Sequence, residues 1–312
     1  MSNVTAISLF TFFVLGLLAL DLGVFRRSRW PPSFRGALLM SALWVSLALA
    51  FNLGIYFWRG PQPAIEFLTG YILELSLSLD NLFVFALTLT YAAVPPEDQH
   101  KVLFWGVLGA LVSRGIFIVA GVELVGHFQW ILYLFGFFLV LSGLSLLRKK
   151  EKQIRPEGNP SLRLARKLFS ITETFEGPLL FVRRNGRLKA TPLFLVLVMI
   201  ETTDVLMAVD SIPAVLAVTR DPFIVFTSNV FAVLGLRSLY FVLARALMKF
   251  RYLHIGLSLV LVFIGTIMLG AHFYKPPTWA TLAVICSIVS MTILASLAKQ
   301  EGGEGQTPAS RE

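Results

Sequence analysis

Thr69-Gly70-Tyr71-Ile72-Leu73-Glu74-Leu75-Ser76-Leu77-Ser78-Leu79-Asp80-Asn81 carries two carboxylates in the middle of an apolar run. A second run, Glu201-Thr202-Thr203-Asp204-Val205-Leu206-Met207-Ala208-Val209-Asp210-Ser211, carries three more. A charged side chain at the centre of a bilayer costs about 2.5–3.5 kcal/mol on insertion scales. A chain that holds five carboxylates at such depth, with Arg114 and Arg237 as the cationic residues nearby, has a use for them. Clustered acids in a membrane point to a cation, a proton path, or both.

The surrounding composition agrees. The chain has 312 residues, 56% of them hydrophobic and 14% charged, against about 25% charged in an ordinary soluble domain. Several apolar runs exceed the roughly 18 residues that mark a membrane helix. The alternating ten-residue segments of a membrane β-barrel are absent. The expected fold is all-α: a polytopic membrane protein of about nine transmembrane helices, at 6–24, 36–57, 67–91, 103–122, 128–147, 191–218, 224–245, 253–273 and 278–298. Met1–Val4 lacks the cationic stretch of a signal peptide, so the first run is expected to be retained as a span.

The net charge of +9 would suit nucleic acid, but the bases are distributed as topology signals. Lys+Arg number four in 25–35, twelve in 148–190 and three in 245–252, while 58–66 and 219–223 hold one each and 123–127 none. Rich and poor loops alternate. The positive-inside rule then places the N-terminus outside and the C-terminus in the cytoplasm. No nucleic-acid partner is expected. The basic cluster Arg148–Arg155 could meet anionic headgroups, although a topology signal alone accounts for it. Asn185-Gly186 between strand-like arms predicts a hairpin over Phe181–Ala190, and the tail 299–312 reads as disordered. Cys286 is the single cysteine, which rules out a disulfide framework within the chain.

An internal repeat is visible. Leu73–Asn81 aligns with Thr203–Ser211, and Val107–Arg114 aligns with Val230–Arg237. Each copy is expected to hold three spans, 67–147 and 191–273, flanked by two N-terminal spans (1–66), a cytoplasmic loop (148–190) and a last span (274–298). Three is odd, so the second copy enters the membrane from the opposite side. That is an inverted-topology repeat, with a binding site expected at midplane where the copies meet.

Glu201 and Asp204 lie three apart and share a helix face. Asp210 lies six beyond Asp204, which in an ideal helix is about 9 Å of rise and about 600° of rotation, hence a different face. The same spacing separates Glu74 from Asp80. For both members of a pair to reach one ion, the helix has to be interrupted, and Gly70, Ser76, Ser78 and Pro213 are candidate breakers. An all-oxygen set of carboxylates, carbonyls and the side chains of Asn81 and Ser211 suits hard divalent ions: Mn²⁺, Ca²⁺ or Mg²⁺. Met207 could add a thioether that favours Mn²⁺ over Ca²⁺, although a methionine in an apolar helix more often packs. Arg114 and Arg237 fit best as structural partners of the acids or as gate latches. Internal salt bridging is the competing account of the acids, but two arginines neutralise two of the five.

The motifs TGYILELSLSLDN, Glu201-x2-Asp204-x5-Asp210-Ser211-Ile212-Pro213-Ala214, Asp221-Pro222-Phe223-Ile224 and Thr227-Ser228-Asn229 resemble those of the TerC/Alx family of integral membrane proteins, over about 6–298. The resemblance implies an Alx-like manganese exporter of the bacterial inner membrane, with Glu74, Asp80, Glu201, Asp204 and Asp210 as metal ligands and Mn²⁺ as cargo. Protons are a candidate counter-ion. The family name carries an association with tellurium resistance, which these residues do not explain: an oxyanion wants cations, and this site is acidic. A Ca²⁺ or Mg²⁺ transporter and a membrane assembly scaffold are the rival readings. An intramembrane aspartyl protease is disfavoured, because Asp80 follows Leu79 and Asp210 follows Val209 in place of a Gly-x-Gly-Asp motif. The chain is therefore expected not to be an enzyme and to need no resident cofactor.

Overall fold

The computed structural model describes residues 3–27, 33–148, 160–172, 174–177, 179–184, 186–246, 253–274 and 276–301. In chain order the elements are α1 (Asn3–Arg27), α2 (Phe34–Arg59), α3 (Pro61–Tyr91), α4 (Pro96–His127), α5 (Ile131–Arg148), α6 (Pro160–Leu168), β1 (Phe181–Arg184), β2 (Arg187–Ala190), α7 (Pro192–Val218), α8 (Pro222–Ala246), α9 (Leu253–Gly270) and α10 (Thr278–Glu301). Each expected span falls on a helix. Among the described residues seven helices are long and apolar enough to cross a membrane, while Thr5–Ala19 and His254–Gly270 form shorter apolar helices. The chain is a polytopic helical membrane protein.

Local chemistry sets the helix starts. Proline occupies the first position of α3, α4, α7 and α8, where a missing N–H costs nothing. Ser33 caps α2 by accepting from the Gly36 N–H at 3.1 Å. Gly60 alone joins α2 to α3, at φ +95°, a conformation that disfavours residues with a Cβ.

The helix breaks that a shared ion site would need near the acids are absent. α3 runs unbroken through Glu74 and Asp80, and α7 runs unbroken through Asp204, Asp210 and Pro213. Pro213 is buried, so packing holds it helical despite the lost hydrogen bond. Ser76 bonds back to the Ile72 carbonyl at 2.6 Å and so stays within the helix ladder.

The two expected copies pack against each other pairwise. α5 makes its most extensive contact with α9, α3 with α8, and α4 with α7. The α5–α9 crossing is close because it is lined by small residues. A Cβ on Gly136 would meet the Gly265 carbonyl oxygen at 2.9 Å, and one on Gly143 would meet the Ser258 carbonyl oxygen at 2.8 Å. Contacts run down one helix as they run up the other, so the pair is antiparallel. Small residues of this kind are what let helix backbones approach in a membrane.

The central loop holds an element the sequence reading missed. α6 (PSLRLARKL) buries Leu162 and Ala165 against Leu195 and Met199 of α7, leaving Arg163, Arg166 and Lys167 exposed. Its Leu/Arg alternation at helical spacing was the available signal. The expected hairpin is present: Phe181 pairs with Ala190 and Arg184 with Arg187, with Gly186 at φ +75°. Lys149–Arg155, most of the basic cluster, and the tail beyond 301 lie outside the described residues.

Candidate metal centre

Because α3 and α7 are unbroken, their acids point to different places. Glu74, Arg114 and Asp204 form a knot between α3, α4 and α7, each no more than 1% exposed. Arg114 grips Asp204 with two nitrogens: Nη2 lies 3.0 Å from Oδ1 and Nε 3.3 Å from Oδ2. Its Nη1 pairs with Glu74 Oε1 and reaches Ser211 Oγ at 3.5 Å. A guanidinium suits this task because its planar fork presents donors to two carboxylates at once and stays charged when buried. Within the triad one cation offsets two acids. Arg237, aligned with Arg114 in the second half, is also buried, within α8.

Asp210 faces elsewhere. It opens into a cavity of about 160 Å³ lined by Asn81 of α3, Met207 and Ser211 of α7, and Ser142 and Ser145 of α5, with Leu257 and Leu261 of α9 among the apolar walls. Ser142 Oγ lies 3.1 Å from both Asp210 oxygens. This lining offers a carboxylate, an amide, three hydroxyls and a thioether. The hard oxygens fit a divalent cation. The volume exceeds the 10–15 Å³ or so that one water requires, so a cation could enter with part of its hydration shell. Ser211 belongs to both regions: it lines the cavity and contacts Arg114.

The remaining predicted residues separate. Glu201, nine residues before Asp210, lies against Gly109 of α4 so closely that a Cβ there would collide with its carboxylate. The side chain of Asp80 lies outside the described residues. Among the described residues no group of three His, Cys, Asp or Glu side chains converges as a metal would require. The structure therefore brings Glu74 and Asp204 together on Arg114, places Asp210 with Asn81 and Ser211, and sets Glu201 apart. Ser142 and Ser145 escaped the sequence reading. Serines in membrane helices usually bond to their own helix backbone, so sequence offered no signal that these two line a cavity.

On α7 the cavity lining lies past the middle of the helix (Met207 to Ser211, before Val218), while on α5 and α9 it lies toward the end where α5 stops (Ser142 to Leu146, before Arg148) and α9 begins (Leu257 and Leu261, after Leu253). The opposite end is tied by polar contacts. Arg59 binds Asp221 at 2.7 Å, Thr219 donates to Glu66 at 2.6 Å, and Gln62 meets Thr278 at 3.1 Å. These link the end of α2 to the start of α8, and the start of α3 to the end of α7 and to the start of α10.

The model of the integral membrane protein TerC family matches residues 59–303. The chain belongs to this family. An uncharacterized membrane protein of Myxococcus xanthus, STKORF319, is 50% identical over 290 residues, covering 93% of this chain and 91% of the relative. A Photorhabdus laumondii protein named "Putative membrane-bound redox modulator Alx" is 43% identical over 297 residues, 92% of this chain and 93% of its own. Its Escherichia coli K12 namesake is 42% identical over 310 residues, 94% and 96% of the two chains. No solved structure matches.

Proposed function

We propose that this TerC-family protein exports divalent cations, Mn²⁺ foremost, through the Asp210 cavity by alternating access. The observation that carries the reading is a carboxylate in the membrane-embedded bundle that opens into a cavity together with an amide, hydroxyls and a thioether. Asp204, by contrast, is enclosed with Arg114 and does not line the cavity. Mn²⁺ accepts hard oxygen donors, and the Met207 thioether lining the cavity favours it over Ca²⁺ and Mg²⁺. In this reading Asp210, Asn81 and Ser211 contact the ion. The Glu74–Arg114–Asp204 knot holds α3, α4 and α7 in register beside it. Asp80 and Glu201 are kept in this proposal as further ligands, as the family resemblance implies.

Architecture supports the transport step. An offset of 122 residues takes Gly136 to Ser258 and Gly143 to Gly265, and it exchanges the two close contacts of the α5–α9 crossing. The α3–α8 and α4–α7 packings exchange in the same way. This supports an inverted repeat, and the proposal takes nine spans with the N-terminus outside. The end where α5 stops and α9 begins is then cytoplasmic, since the basic loops lie there, and the Arg59–Asp221 end is external. An inner-membrane exporter loads from the cytoplasm and releases by parting the outer contacts. Protons are the proposed counter-ion, and the basic cytoplasmic side rests against anionic headgroups. The relatives' redox name has no thiol–disulfide counterpart within this chain, because a single cysteine cannot form an internal disulfide.

The test is metal uptake into inside-out vesicles for wild type and Asp210→Ala, across Mn²⁺, Ca²⁺, Mg²⁺ and Zn²⁺. Saturable Mn²⁺ uptake that the variant loses is expected. Absence of flux for every ion, with folded protein present, would overturn the reading.

A further inference from the structure

Ser142 is the cavity residue whose geometry says most. Its Oγ lies 3.1 Å from Oδ1 and 3.1 Å from Oδ2 of Asp210, which places the hydroxyl in the fork of the carboxylate. A hydroxyl has one proton and two lone pairs. It therefore donates to one oxygen at a time and has acceptor capacity left over. The fork is also where a cation sits when a carboxylate binds it through both oxygens. A cation that engages Asp210 in this way has to take the place of the hydroxyl proton. Once the proton turns aside, the lone pairs of the same oxygen face the ion.

We propose that Ser142 is a cation ligand contributed by α5. Its hydroxyl donates into the Asp210 fork, and when a cation loads it exchanges that hydrogen bond for coordination. This inference rests on the cation reading above and adds α5 to its ligand set. Ser145 lies one turn further along the same helix and lines the same cavity, so α5 presents a second hydroxyl to the same space. The assignment has a consequence for motion. α5 is seated against α9 through Gly136, Gly143 and Gly265, so the two move as a pair. The Ser142–Asp210 bond connects that pair to α7. Replacing the bond by coordination makes the position of the α5–α9 pair depend on whether the site is occupied.

The test uses the full chain in proteoliposomes with Cys286→Ser as background, which removes the single native thiol. Ser142→Ala should raise the KM for Mn²⁺ about tenfold while maximal rate changes less, and Ser142→Thr, which keeps the hydroxyl, should restore it. Ser142→Cys should react with a small charged methanethiosulfonate reagent, slow at least about tenfold under saturating Mn²⁺, and gain a cadmium–thiolate absorption band with Cd²⁺. A packing role for Ser142 would produce neither the Mn²⁺ protection nor the cadmium band. Wild-type KM in Ser142→Ala, together with unprotected labelling of Ser142→Cys while the parent protein still transports Mn²⁺, would overturn the assignment and leave the cation reading standing. A parent protein that moves no divalent cation would overturn the cation reading itself, and the ligand assignment with it.

Discussion

Helix α7 carries Asp204 and Asp210 less than two turns apart, and the two carboxylates occupy opposite surroundings. Asp204 is 1% exposed and clasped by two nitrogens of Arg114. Asp210 is half-buried, faces a cavity of about 160 Å³ and is met by the Ser142 hydroxyl. The first arrangement has traded chemical availability for cohesion, because a carboxylate bound by a guanidinium fork has few lone pairs left for an ion. The second keeps a carboxylate hydrogen-bonded yet displaceable. Depth in a membrane therefore does not by itself mark a ligand. The partner decides.

The comparison breaks most sharply at Arg114. Arg114→Met leaves Glu74 and Asp204 buried without their shared cation, and uncompensated buried charge costs about 3–5 kcal/mol. The variant should be recovered poorly and lose its thermal transition in detergent. Adding Glu74→Gln and Asp204→Asn should restore much of the yield. Asp210→Asn should do the reverse: a near-native thermal transition, with Mn²⁺ uptake reduced by at least about a hundredfold, a loss of more than one ligand's worth of binding. If both variants fold equally well, the two regions do not differ as described.

That distinction was only half legible in the sequence. Apolar runs located each helix, because length and hydropathy are local properties, but left the ends of α3 and α4 short by up to seven residues. The Asn185-Gly186 turn and the hairpin arms were readable for the same reason. The acids were found, but grouped as one site. Grouping depends on whether a helix breaks at Ser76, Ser78 or Pro213, and that is settled by packing around the helix rather than by the residue itself. Partner choice depends on which neighbouring helix supplies the arginine or the serine. Arg114 lies 90 positions from Asp204, and Ser142 lies 68 from Asp210. No local pattern encodes such pairings.

A third contrast lies between the α5–α9 crossing and the cavity beside it. Gly265→Val inserts a branched side chain where a Cβ already meets the Gly136 carbonyl oxygen at 2.6 Å. Overpacking of this kind costs about 1–3 kcal/mol, and here the obstructing atom is backbone and cannot swing aside. The thermal transition should fall, and Mn²⁺ transport should fall with it because the crossing carries α5. Gly109→Ala offers the milder version. Its new methyl would meet the Glu201 carboxylate, the far end of a flexible side chain, which can move. Stability should change by less than about 1 kcal/mol. Glu201→Gln should reduce uptake less than Asp210→Asn does, since Glu201 lies outside the cavity lining; an equal loss would bring Glu201 into the site.

The smallest expected effect is at the far end, between Arg59 and Asp221. The pair is 2.7 Å apart, with side chains 17% and 31% exposed, and the guanidinium also lies 4.5 Å from the Trp58 ring centroid and 4.6 Å from that of Phe223. Solvent-screened pairs contribute about 0.2–1 kcal/mol. Asp221 has a second task, accepting the Phe223 N–H at 2.9 Å at the start of α8. Asparagine caps as well as aspartate, so Asp221→Asn removes the charge and spares the cap. A double-mutant cycle of Arg59→Gln and Asp221→Asn on thermal stability should therefore return a coupling below about 1 kcal/mol. In the proposed transport cycle a contact this weak between the ends of α2 and α8 would part, whereas the Arg114 knot would hold. A coupling as large as that of the Arg114 pairs would make this end a second structural knot, and external release would then require another route.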